Sequence, residues 1–117
     1  MTHFFISEFD SPDLKGSGQF MDDTFLSMLD EARGIANIPF KINSGFRTKE
    51  HNKKVGGVKS SSHTKGLACD ISCTDNRSRF IILSALIQAG FSRIGMAKSF
   101  IHCDIDIDKS QQVTWMY

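Results

Sequence analysis

Hydrophobic positions along the chain change period several times, and each change marks an element. From about Phe20 to Ala36, Met21, Phe25, Met28, Leu29, Ala32 and Ile35 recur at helical spacing, and Asn37 before Ile38-Pro39 supplies the stop. Phe40 to Asn43 reads as a short strand running into Ser44-Gly45; Thr48 can then cap a brief helix that Gly56-Gly57 ends. Residues 7 to 18, with Pro12, Gly16 and Gly18, and the Ser-rich segment from Lys59 to Gly66 read as loops.

A strand is expected from Leu67 to Cys73. Thr74 or Asp75 can cap the second main helix, whose expected buried stripe is Phe80, Leu83, Ile87 and neighbours, and Gly90 supplies the left-handed position after it. Further short strands fall near Arg93 to Ala97, Ile101 to Ile107 and Val113 to Tyr117. Their connections are too short for helical crossovers, so the class is α+β, with a mainly antiparallel sheet and two main helices.

At 117 residues the chain has room for one compact domain. No apolar run approaches the ~18 residues of a bilayer span. Fourteen basic and thirteen acidic residues leave a net charge of +1, so no overall field favours nucleic acid or an anionic membrane. The start, Met1 to Ile6, lacks the features of a signal peptide. Cys69, Cys73 and Cys103 are an odd number with no Cys-Xaa-Xaa-Cys pair, so neither a disulfide framework nor a thiolate zinc site is indicated.

Chemistry enters with the segment Ile101 to Asp108, which alternates strictly. In a strand, Ile101, Cys103, Ile105 and Ile107 share one face; His102, Asp104, Asp106 and Asp108 share the other. A half-buried strand with a solvated acidic face is the plain alternative to a functional site. A calcium loop starting at Asp104 fails, because Lys109 stands where Gly is needed and Trp115 where Glu is needed. The same parity puts Asp70 on one face with Ala68, opposite Cys69. If the two strands are neighbours, Asp70 meets His102, and His63 can fold back across Gly66 to join them. Two imidazoles and one carboxylate suit zinc with three protein ligands and an open position. Cys69 and Cys103 then point into the core.

Ser61-Ser62-His63-Thr64-Lys65-Gly66-Leu67-Ala68-Cys69-Asp70 matches the Ser-x-His-x-x-Gly-x-Ala-x-Asp signature of the zinc peptidases that cleave bacterial cell-wall peptides. Ser44-Gly45-Phe46-Arg47, Glu50-His51-Asn52 and Phe100 to Asp104 follow in the order seen in small bacterial and phage members. The chain therefore resembles the D-alanyl-D-alanine carboxypeptidases, the VanX and VanY types and the L-alanyl-D-glutamate endopeptidases of phage lysins. The resemblance covers about Phe20 to Asp106. It implies a hedgehog-like and D-alanyl-D-alanine-peptidase-like fold, one zinc peptidase-like domain over residues 1–117, and Zn²⁺ bound by His63, Asp70 and His102. It also implies that Arg47 contacts a substrate carboxylate or oxyanion and that Ser61 helps hold the substrate.

One position departs from the pattern. Many relatives carry Asp or Glu three residues before the second histidine as general base; here that place is Ser99, and serine cannot accept a proton at neutral pH. Asp104 is the replacement candidate, its alternative role being to orient a ligand imidazole. Asp106 is expected to be solvated, and His3 and His51 to be polar surface. The six basic residues from Arg47 to Lys65 form a solvated face or attract an anionic wall peptide.

The expected function is hydrolysis of peptidoglycan stem peptides by a monomer that binds no nucleic acid. Made in the cytoplasm, it would reach the wall through lysis, a holin or virion delivery. Two alternatives stand beside this. One is a noncatalytic zinc-containing cell-wall binding module, since hedgehog signalling domains resemble this fold and keep a zinc cage without evident peptidase work. The other is a structural domain without metal.

Overall fold

The computed structural model describes residues 1–117. Helix α1, Asp23–Ala36, begins where the Asp22 carboxylate accepts the Phe25 amide, and it ends at Asn37 in the left-handed conformation. Phe20, expected to open this helix, instead closes a separate 3-10 turn over Ser17–Phe20, with Gly16 left-handed before it. Strand β1 is Ile42–Ser44 and helix α2 is Lys49–Lys54, capped by Thr48 as the sequence predicts. The Ser-rich segment, expected as loop, contains a 3-10 turn over Ser62–Lys65 that Gly66 closes with a φ of 72°. Strand β2, Ala68–Ser72, follows; Asp75 then caps helix α3, Asn76–Gln88.

The last strands are β3, Arg93–Met96, β4, Phe100–Asp104, and β5, Val113–Met116. They complete a five-stranded sheet in the order β1-β2-β4-β3-β5. The α+β class and the predominance of antiparallel pairing hold, with one exception: β5 runs parallel to β3. The reason is topological. The end of β4 lies beside the start of β3, because Ile94 pairs with Cys103 and Met96 with Ile101. A short loop over that end therefore delivers β5 to the free edge of β3 in the same direction, with β4 itself serving as the crossover.

Helices α1 and α3 pack on one sheet face. Phe25, Leu26, Leu29 and Ala32 of α1 meet Ile82, Ala85 and Leu86 of α3 above Cys69, Ile71, Ile94, Ile101 and Cys103. The buried stripe of α3 is thus Ile82, Ala85, Leu86 and, just past the helix, Ala89, while two expected members face solvent, Phe80 at 72% and Ile87 at 59% exposure. The Asp75 cap and the docking onto α1 fix the phase of the helix; both faces carry apolar residues, so periodicity alone left the phase open. Cys69 and Cys103 lie in the core as expected, 3.8 Å apart at Sγ. No helix is long and apolar enough to cross a membrane.

Candidate metal centre

The opposite sheet face carries the site. Strand register aligns Asp70 with His102, and alternation turns both side chains away from the core. Small residues flank them, Ala68 on β2 and Gly95 on β3. The 3-10 turn brings His63 over the pair. Its backbone is fixed at both ends: the Ser61 hydroxyl accepts the His63 amide, and the Arg47 amide donates to the His63 carbonyl.

Potential ligand atoms of His63, Asp70 and His102 all lie within 4.8 Å of one another, and all three residues are buried. Asp70 Oδ1 is 3.3 Å from His63 Nε2 and 2.9 Å from His102 Nδ1. The far nitrogen of each ring meets an acceptor: His63 Nδ1 lies 2.8 Å from the Gly45 carbonyl, and His102 Nε2 lies 2.7 Å from Asp104 Oδ2. Both far nitrogens are therefore placed to donate, which in neutral rings turns the remaining lone pairs toward one carboxylate oxygen. Three electron-rich atoms facing one another need a proton or a cation between them. The donor set fits a divalent metal, with acceptors behind both imidazoles fixing their orientation.

Electrostatics follow this arrangement. Burial raises the Asp70 pKa, but the two imidazoles overcome it and hold the carboxyl far below its usual range. Burial disfavours charge on His102, yet its hydrogen bonds to Asp104 and Asp70 leave its pKa raised. Asp104 is lowered despite burial by His102, by Arg93 and by the Asp106 amide. Its carboxylate is 1% exposed and fully engaged: Oδ1 accepts from Arg93 Nε at 2.7 Å and from the Asp106 amide at 3.1 Å, while Oδ2 meets His102.

Asp106 corrects the sequence reading. Strand β4 ends at Asp104, one further ladder bond joins the Ile105 amide to the Leu67 carbonyl, and the chain turns at residues 107–108, so the alternation is not that of a strand over its whole length. Asp106 becomes fully buried instead of solvated. It accepts from Ser62 Oγ at 2.7 Å and Lys65 Nζ at 3.0 Å, tying the turn that bears His63 to the exit of the strand that bears His102. Its pKa is about 2, because Ser62 and Lys65 outweigh the effect of burial.

Arg47 lies against the trio, its Nη2 3.5 Å from Asp70 Oδ2 and its Nε 3.0 Å from Ser44 Oγ. Asn52 Oδ1 accepts its third contact at 3.2 Å. Beyond Asn52, Lys49, Lys53 and Lys59 line a polar cleft of about 570 Å³. Gly45 has a packing reason: a Cβ there would fall 2.7 Å from the Phe9 Cα. Ser99 sits at the turn between β3 and β4, its carbonyl accepting the Cys73 amide. His3 and His51 stand outside the trio, His3 exposed and His51 half-buried. Sequence reasoning missed Arg93, a buried cation gripping Asp104, and Trp115, whose ring centroid is 5.5 Å from that of His102. Pairing across strands creates both contacts, and no local pattern carries either.

Two imidazoles and a carboxylate gathered on one sheet face, with a guanidinium beside them, form a group that could hold a metal ion. The sequence profile of the family described as Peptidase M15 matches residues 3–104, and the chain belongs to that family of metallopeptidases. No curated protein matches the chain.

Proposed function

We propose that the protein is a zinc peptidase that hydrolyses peptidoglycan stem peptides, at a D-alanyl-D-alanine or an L-alanyl-D-glutamate bond. The observation that carries the reading is the convergence of His63, Asp70 and His102, each imidazole backed by an oxygen acceptor, beside Arg47. Bound there, zinc supplies Lewis acidity and a water with a pKa near ~7.

The remaining roles belong to the chain. Asp104 holds the His102 ring so that Nδ1 faces the metal position, and Arg93 in turn holds Asp104. Arg47 presents a planar, permanently charged fork to a substrate carboxylate or to the oxyanion of the attacked carbonyl. Ser61 fixes the His63 turn through its oxygen and has its hydroxyl proton to offer a substrate carbonyl. The lysines of the adjoining cleft favour an anionic peptide.

Incubation of the zinc-loaded protein with purified murein and with peptides ending in D-alanyl-D-alanine tests the reading. Release of D-alanine or of peptide fragments is expected. The engagement of both Asp104 oxygens and the serine at position 99 favour a second reading, a noncatalytic wall-binding module. Saturable muropeptide binding without turnover, over a range of pH and metal, would establish that one instead.

A further inference from the structure

Ser44, Asp70, His102, Gly95 and Trp115 form one cross-strand row, each paired with the next from β1 to β5. Gly95 is the gap in this row. A Cβ there would lie 2.7 Å from Trp115 Cε2 and Nε1 and 2.8 Å from Tyr117 Cε2. Only a bare backbone lets the indole lean across β3 toward His102, at 50° to its ring. The Arg93 guanidinium packs 4.9 Å from the indole centroid, and its bonds to Asp104 and to the Ser110 carbonyl immobilise it. Tyr117 also lies over Gly95, its ring centroid 6.4 Å from that of Trp115 and 5.1 Å from that of Phe100. Trp115 is half-buried. Strand β5 lies outside the matched residues 3–104.

The two ends of the row differ in chemistry. Arg47 stands at the Asp70 end, a cation; Trp115 stands at the His102 end, an aromatic plate. We infer that Trp115 is the substrate-contacting wall on the side of the scissile bond opposite Arg47, receiving a small uncharged residue. This rests on the peptidase reading above. Both bonds proposed there have alanine before the cut and a free carboxylate on the residue after it. A peptide lying along the row thus puts its carboxylate at Arg47 and the alanyl methyl on the indole, which fixes the direction in which the chain is read.

Trp115 is the chain's single tryptophan, so its fluorescence reports on this wall directly. In the zinc-loaded protein, titration with a D-alanyl-D-alanine-terminated peptide and with an L-alanyl-D-glutamyl peptide should change the emission saturably. Trp115→Leu should raise KM about tenfold with a smaller change in kcat, and Trp115→Phe should recover most of it. Glycine in place of the alanine should erase most of the difference between wild type and Trp115→Leu. Zinc content and melting temperature, measured on each variant, separate these effects from misfolding. Unchanged KM in a folded, zinc-containing, active Trp115→Leu protein overturns the inference and leaves the peptidase reading standing. A wild-type protein that takes up zinc yet neither binds nor cleaves either peptide overturns that reading, and the inference with it.

Discussion

Asp104 and His102, two residues apart on β4, meet through Oδ2 and Nε2 at 2.7 Å, on the side of the imidazole away from Asp70. The carboxylate thereby sets which ring nitrogen is free for a cation. Because Arg93 and the Asp106 amide occupy its other oxygen, this geometry is rigid.

Asp104→Asn keeps the shape and removes the charge. Its expected effect is a loss of zinc affinity of about 10–100-fold, seen in competition with a chromophoric chelator. Intact affinity combined with collapsed kcat would instead make Asp104 the proton acceptor.

Arg47→Lys keeps the charge and removes the fork. For peptides with a carboxylate after the cut, kcat/KM should fall about tenfold or more, whereas the corresponding amides should be far less affected. Equal losses on both would place the guanidinium on the oxyanion of the attacked carbonyl rather than on the substrate carboxylate.

Asp106 gives a pH prediction. Its folded pKa, about 2, lies below the ordinary carboxylate value of 3.8. The contribution is therefore complete above about pH 4 and is lost as pH falls toward 2. Asp106→Asn should cost roughly 2 kcal/mol in urea unfolding at pH 7 and much less near pH 2. An equal cost at both pH values would mean that packing, and not the charge held by Lys65 and Ser62, supplies the stability.

Gly66 closes the His63 turn with a φ of 72°, and a Cβ there would run into the Phe20 carbonyl oxygen. Gly66→Ala is expected to lower the melting temperature by several degrees and to weaken zinc binding, since the turn carries His63. Circular dichroism melts with and without zinc would show a smaller zinc-induced gain than in wild type.

Alternation within β2 and β4 made Asp70 and His102 legible, because a residue's face follows from counting by two. His63 was legible from its place before Gly66, a left-handed position that returns the chain to the sheet. Counting could not give the burial of Asp106, because Ser62 and Lys65 of the His63 turn cover its carboxylate and they lie some forty residues away in sequence. It failed for Phe80 and Ile87 because both faces of α3 offer apolar residues and only the packing against α1 chooses. The parallel β5, and with it the approach of Trp115 to His102 over Gly95, arises from sheet order, which spacing along one chain does not encode.

Metal stoichiometry tests the central claim most directly. Equilibrium dialysis followed by elemental analysis should find about one zinc per chain in the wild-type protein. The single variants His63→Ala, Asp70→Ala and His102→Ala, each shown to be folded, should retain little of it. Retention of a full equivalent by all three variants, or no zinc bound by the wild type, would contradict the account.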